Sequence, residues 1–392
     1  MLQRRYASFT CTRCFPVKRI SIYALGLIFF AAAFVNAQST QADKAPTSLS
    51  AGTNTNKDAE AVSSSAKTPT DSSKQAKLGR WLEFDNLSFS TRYHFIENSN
   101  RTKATNNDQY QVAIKGRFKF DKKGDYSVTA GVYTGNSFTG GWNNTGWGTG
   151  DRQTTLFVKQ LYFQARPVKG LEIQFGGLPV TNGVSTEATG YDNDAYITGE
   201  RLRLKYPKKL FFDEILVTYA FLGDLNQPEI FKRLKHLGKS NYHQFLVSRH
   251  IGKRANFSAD YTFQSGLDTL RQAVKVKVPE TKIFDSVEFE NYQIAGDDPG
   301  YGFNLFGDKK LNDRFSVTAG VAHIDRKLLN GDRFAPGTRI HFNANAKLGY
   351  DLSLSAMFTQ GVGTWPDVRN RTRLDIVLTY NLLDLLNRKK IF

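Results

Sequence analysis

The chain has 392 residues, 40% of them hydrophobic and 13% aromatic, and a formal charge of +17. Two cysteines are too few for a disulfide-stapled scaffold, and after residue 40 no apolar run reaches the length of a membrane helix. Such a basic balance suits nucleic-acid binders, so the placement of the charges has to decide its meaning.

Arg4, Arg5, Arg13, Lys18 and Arg19 precede an apolar run from Ile20 to Val35, and Val35-Asn36-Ala37 brings small residues before Gln38. Basic, apolar and small zones in that order predict a secretory signal peptide over residues 1–37. The run, about 16 residues, is shorter than the roughly 20 that a membrane helix needs. Cleavage removes Cys11 and Cys14, so their CxxC spacing predicts no metal or redox site in the mature chain. It also removes five basic residues, which takes the formal charge from +17 to +12. Export argues against a nucleic-acid partner. Residues 38–79 are mostly Ser, Thr, Ala, Lys, Asp and Asn, with no aromatic. They cannot bury enough surface to offset chain entropy, which predicts a disordered leader.

From residue 80, with Trp81, the character changes. Apolar and polar residues alternate, as in Leu87-Phe89-Thr91-Tyr93-Phe95, Tyr110-Val112-Ile114-Gly116-Phe118-Phe120 and Phe257-Ala259-Tyr261-Phe263. Period two is the period of a strand. The pattern predicts sixteen strands, over 86–96, 109–120, 126–135, 155–166, 171–179, 195–206, 214–223, 242–251, 255–264, 269–278, 286–294, 301–307, 315–324, 338–348, 352–360 and 371–382. The connections sort by side. Those after the second, fourth, eighth and fourteenth strands are tight turns (121–125, 167–170, 252–254, 349–351), and those after the sixth, tenth and twelfth have seven residues. Those after odd strands include 97–108, 136–154, 180–194, 224–241, 325–337 and 361–370; only the ones after the ninth and eleventh are short. Short turns on one side, long loops on the other and an even count predict an all-β fold, a transmembrane antiparallel barrel over 80–392 with periplasmic turns and outer loops. A soluble sandwich also alternates, but it has no need of sixteen strands sorted by loop length.

In such a barrel the apolar face meets lipid and the other face lines the lumen. Lys115 and Arg117 then point inward, as do Arg201, Arg203 and Lys205, Arg271, Lys275 and Lys277, Arg339, His341 and Lys347, and Arg371 and Arg373. Turning any of these to the bilayer midplane costs roughly 2–4 kcal/mol, which fixes the register. Acidic inward candidates are fewer: Glu172, Asp260, Glu288, Glu290 and Asp375. The predicted lumen is net basic and favours small, anionic solutes.

The loop over 136–154 carries Trp142, Trp147 and five glycines. Interface anchoring is the simplest role for its tryptophans; stacking on sugars is the alternative. In the loop over 224–241, Pro228, Gly238 and the apolar residues Ile230, Phe231, Leu234 and Leu237 predict a short helix made basic by Lys232, Arg233, Lys235 and Lys239. Three roles stay open for it: capping the mouth, touching anionic lipopolysaccharide, or being a solvated loop.

The last strand runs Arg371-Thr372-Arg373-Leu374-Asp375-Ile376-Val377-Leu378-Thr379-Tyr380-Asn381-Leu382, and the final residue is Phe392. A terminal Phe after such a strand, here with Tyr380, resembles the C-terminal assembly signal of bacterial outer-membrane barrels. Together with the export signal and strand pattern, the chain resembles bacterial porins broadly. The resemblance implies the outer membrane of a Gram-negative-type bacterium, a barrel-assembly machinery, and lipid and lipopolysaccharide as surroundings. Porins commonly trimerise, but no residue here marks a homotrimer interface. The third outer loop, over 181–194, resembles the porin constriction loop by position. Folded inward, Glu187, Asp192 and Asp194 would oppose Arg117, Arg201 and Arg203 and set up a transverse field. Asp192 and Asp194 are also a weak divalent-cation pair.

Catalysis finds little support. None of His94, His236, His243, His250, His323 and His341 lies in a GxSxG or HExxH motif. The one conceivable pairing is His341 with Ser353 or Ser355. No catalytic residue, metal site or cofactor is predicted. The sequence therefore predicts a porin-like diffusion channel. The alternatives are a closed barrel whose loops bind a saccharide or surface partner and, more remotely, a membrane hydrolase or acyltransferase.

Overall fold

The computed structural model describes residues 76–78, 80–97, 103–137, 141–146, 155–185, 196–205, 211–264, 266–278, 281–296, 299–325, 327, 336–362 and 371–388. Sixteen strands form its wall: β2 (Leu82–Glu97), β3 (Lys103–Lys119), β4 (Tyr126–Tyr133), β5 (Phe157–Ala165), β6 (Leu171–Pro179), β7 (Tyr196–Lys205), β8 (Glu214–Phe221), β9 (Tyr242–Ile251), β10 (Ala255–Gln264), β11 (Leu267–Lys277), β12 (Ser286–Ala295), β13 (Gly300–Lys310), β14 (Phe315–Ile324), β15 (Gly337–Gly349), β16 (Leu352–Val362) and β17 (Thr372–Asn381). Each pairs antiparallel with the next. β17 then pairs with β2, from Thr372 opposite Glu97 to Asn381 opposite Ser88, and the sheet closes. Closure leaves no unpaired strand edge, which is why a sheet can cross hydrocarbon at all. No described helix is long and apolar enough to span a membrane.

The apolar alternation faces outward. Phe89, Phe163, Phe175, Phe245, Phe289, Leu305 and Phe358 are each 39–49% exposed on the outer wall. Water would penalise so much exposed aromatic surface, whereas lipid does not. The residues between them face inward and are mostly buried, among them Arg92, Gln164, Glu172, Asp260 and Asp375.

Three local features depart from the sequence reading. A short strand, β1 (Ala76–Leu78), pairs with β2 at Leu82–Phe84, inside the stretch assigned to the leader. β13 runs on to Lys310, three residues beyond its expected end, because Asp308, Lys309 and Lys310 pair with Ser316–Thr318 of β14. A helix, Leu382–Arg388, follows β17 directly and packs near β1 and β2. The last strand therefore ends at Asn381, and Phe392 lies outside the described residues. Tyr380 stands near the end of β17, opposite Phe89 and Leu352.

Candidate lumen constriction

Antiparallel register brings inward residues of neighbouring strands side by side, so opposite charges can meet across the ladder. Arg203 on β7 faces Glu172 on β6 at 3.4 Å and Glu214 on β8 at 2.9 Å. Arg166 joins Glu172 at 3.2 Å. On β10 and β11, Arg271 meets Asp260 at 2.8 Å, and both are almost completely buried. Lys275 bridges Glu288 at 3.3 Å and Asp308 at 2.6 Å. Arg117 reaches Asp85 at 3.5 Å, and Lys119 pairs with Glu83. Fully desolvated charges need such partners or a set of hydrogen bonds in their place.

Arg201, buried on β7, has uncharged partners: Thr218 Oγ1 at 3.1 Å, Gln174 Oε1 at 3.3 Å and the Pro179 carbonyl at 2.7 Å. Lys115 lies on the lumen side of β3, between Arg117 and Ala113. Lys205 and Lys347 sit exposed near the short-turn ends of β7 and β15. Arg339 is buried near the long-loop end of β15 and donates to the Arg371 carbonyl at 3.3 Å.

A denser cluster joins β2, β3 and β17. Arg373 donates to Asp375 at 2.9 Å, His94 Nδ1 contacts the other oxygen of the same carboxylate, and Arg92 stands 4.0 Å from it. Arg92 also donates to Gln109 Oε1 at 2.9 Å. Over this cluster lies Trp142, wholly buried against Met357 and Val377 on the inward faces of β16 and β17. The Arg92 guanidinium stacks on its ring at 4.7 Å. Gln109 Nε2 donates to the Trp142 carbonyl, and Thr134 Oγ1 to that of Gly141 at 2.8 Å. The loop after β4 thus folds into the lumen, and Trp142 is not an interface anchor. A ring that finds a cation face and an apolar floor inside the wall gains more there than at the headgroups.

The segment after β6 also turns inward. Val184 N donates to Ser258 Oγ at 2.9 Å, and Gln244 Nε2 to the Thr181 carbonyl at 2.7 Å. Ser258 and Gln244 share the inward faces of β10 and β9 with Asp260 and Leu246, so residues 180–185 cross from β6 to the inside of β9 and β10. Glu187, Asp192 and Asp194 lie outside the described residues, and their distances to Arg117, Arg201 and Arg203 are not defined. Among the described residues no cluster of three or more potential metal ligands occurs. His341 lies opposite Thr359, whereas Ser355 donates to Asn343 and Ser353 lies opposite Lys347, so the conceivable serine–histidine pairing does not form.

Counter-ions beyond the acidic residues expected inward include Glu83, Asp308 and Glu214. Glu83 shares odd numbering with the outward Leu87 and Phe89, yet a bulge between Phe84 and Asn86 turns it inward. Asp308 falls beyond the expected end of its strand. Glu214 has the inward numbering of Thr218, and that parity would have found it.

No family model matches the sequence, and a comparison with curated proteins finds no match. Solved structures do resemble it. Salmonella typhi OmpF in complex with daunomycin is 10% identical, with a TM-score of 0.52 over 78% of this chain and 99% of that one. A loop-deletion mutant of OmpT, an outer membrane protein of Vibrio cholerae, is 11% identical with a TM-score of 0.47, over 76% and 98%. A mutant of the Rh. blastica porin is 11% identical with a TM-score of 0.46, over 75% and 99%. The closed sheet and the OmpF likeness together make the fold that of a porin-type, sixteen-stranded antiparallel barrel.

Proposed function

We propose that the chain is an outer-membrane channel for diffusion of small solutes, with an anion preference set by the inward basic rows and no chemistry of its own. The observation that carries this reading is the wall itself: an apolar belt outside, and inside it rows of charge arranged strand to strand. In this reading residues 1–37 direct export, the barrel is inserted by an assembly machinery into a bilayer of lipid and lipopolysaccharide, and the inward basic rows, Lys115, Arg201, Arg339, Lys347 and Arg371 among them, supply the positive potential. Rings of Arg and Lys favour anions by the same electrostatics that repel cations. The loops carrying Trp142 and residues 180–185 narrow the passage. Glu187, Asp192 and Asp194 would complete an eyelet with a transverse field, and a homotrimer is the assembly consistent with this architecture.

Single-channel recording of the refolded protein under a salt gradient tests the reading. Stepwise conductance with an anion-selective reversal potential is expected, and replacing Arg201 and Arg203 by Glu should move selectivity toward cations. A folded, inserted barrel that passes no current would refute the channel and favour a closed barrel with binding loops, a reading that the inward packing of Trp142 keeps in play.

A further inference from the structure

The loop between β8 and β9 turns outward rather than over the lumen. Gly177 stands on the same face of β6 as Ile173 and Phe175, which are 43% and 44% exposed on the outer wall. A Cβ on Gly177 would overlap the Ile230 side chain. Tyr196 and Thr198 share the outward face of β7 with the exposed Leu202, yet both are completely buried. The helix Ile230–Leu234 covers this corner, with Ile230 buried. Five residues cannot hold a helix alone. Arg233 fastens it: its guanidinium lies 4.9 Å from the centre of the Tyr196 ring and donates to the carbonyls of Asp224 and Leu222. Tyr196 Oη donates to the Gln227 carbonyl at 2.7 Å.

Beside the helix is a cavity of about 190 Å³, lined by Phe221, Asp224, Lys232, Arg233, Lys235 and His236 among others. We propose that this cavity holds the phosphate headgroup of an outer-leaflet lipid, whose acyl chain runs down the outer wall past Phe221 and Tyr219. Three features converge on that ligand. Phe221 of the lining shares the outward face of β8 with Tyr219, which is 46% exposed, so an anion bound there has the lipid-facing wall beneath it. Phe231, 64% exposed beside the lysines, suits the headgroup boundary. The charge is also unbalanced. Lys232 shares Glu229 at 2.9 Å, and Asp224 is the one carboxylate of the lining, but Lys235 and Lys239 add to Arg233. His236 registers the surplus: burial pushes its pKa down, and Lys239, Lys235 and Arg233 push it further the same way. A phosphate would relieve that field.

The site depends on the outer wall facing lipid, not on ion flow through the lumen. The test uses the refolded protein in nanodiscs of phosphatidylcholine with a minority of phosphatidic acid, and native mass spectrometry of the released protein. Wild type should retain phosphatidic acid over phosphatidylcholine, and K232Q/K235Q should lose that enrichment by roughly tenfold, with conductance unchanged. Equal retention by the variant would overturn the site. So would complete displacement by millimolar inorganic phosphate, which would make the ligand a free anion. A barrel that conducts no ions but retains phosphatidic acid would refute the channel reading and leave this site standing.

Discussion

Replacing Trp142 by alanine should release its loop from the inner wall and widen the lumen. The indole is wholly buried against Met357 and Val377. Burying about 200 Å² of aromatic surface at about 25 cal/mol per Å² contributes at most about 5 kcal/mol. Arg92 over the ring adds about 0.5–2 kcal/mol. Two effects reduce the loss. The unfixed loop already buries part of the ring, and the vacated space, bordered by Arg92 and Gln109, is polar enough to take water. A docking loss of about 2–3 kcal/mol remains. What is left includes the Thr134 bond to Gly141, the Gln109 bond to residue 142, the isolated bridge from Gln109 to Gly146, the Lys159 bond to the Ser137 carbonyl and the Asn136 amide bond to the Asn143 carbonyl. At about 1 kcal/mol each, these cannot hold a loop whose backbone ordering costs about 1 kcal/mol or more per residue. Trp142→Ala should therefore conduct more, and more noisily, and a protease should cut within residues 138–150 faster than in wild type. Unchanged unit conductance together with unchanged proteolysis would show that Trp142 is not the latch.

Other perturbations have equally definite signs. Glu172→Gln leaves Arg203 with Glu214 and removes the carboxylate beside Arg166, so the reversal potential should move further toward anions; an unchanged potential would mean these charges lie off the ion path. Leu378→Arg places a cation on the outward face of β17 and should cost about 2–4 kcal/mol if it reaches the midplane, read as a lower urea midpoint in vesicles; an unchanged midpoint would refute a lipid-facing Leu378. In the turn after β3, Asp121 accepts the Tyr126 and Lys123 amides at 2.8 and 3.0 Å, and the Tyr126 bond above all holds its carboxyl below the ordinary value of 3.8. A depressed carboxylate stabilises the turn at higher pH, and that contribution fades as pH falls below 3.8 through the folded value. The Tyr126 amide resonance should shift there in wild type and not in Asp121→Asn; identical titrations would remove Asp121 as the cause.

The strands were legible because one solvent boundary imposes one period. Phe257, Ala259, Tyr261 and Phe263 must all face lipid, so their spacing announces β10 without any partner in view. Arg201 against Leu202, and Arg373 against Leu374, announce their faces for the same reason: a charge in hydrocarbon costs more than any propensity could return. The bulge at Phe84–Asn86 was not legible, because it breaks the parity on which the reading depends, and it carries Glu83 inward with it. The charged tail of β13 was hidden likewise, since Asp308, Lys309 and Lys310 look like a turn until β14 supplies their partners.

The sequence by itself therefore determined the strand count, the sidedness of each strand and the sorting of loops, because these follow from local alternation between two media. Only the tertiary structure decided where the loops go. Trp142 could anchor at an interface or fill a lumen, and the choice rested on Arg92, Met357 and Val377, which lie 50 to 235 residues away in the chain and meet it only when the barrel closes. The helix Ile230–Leu234 was foreseen as a helix but not as an outside fixture, because Gly177, Tyr196 and Thr198 form its seat only once β6 and β7 are paired. Net lumen charge, too, belongs to the closed sheet: Arg203 is a cation in the sequence and the centre of a three-residue ion pair in the fold.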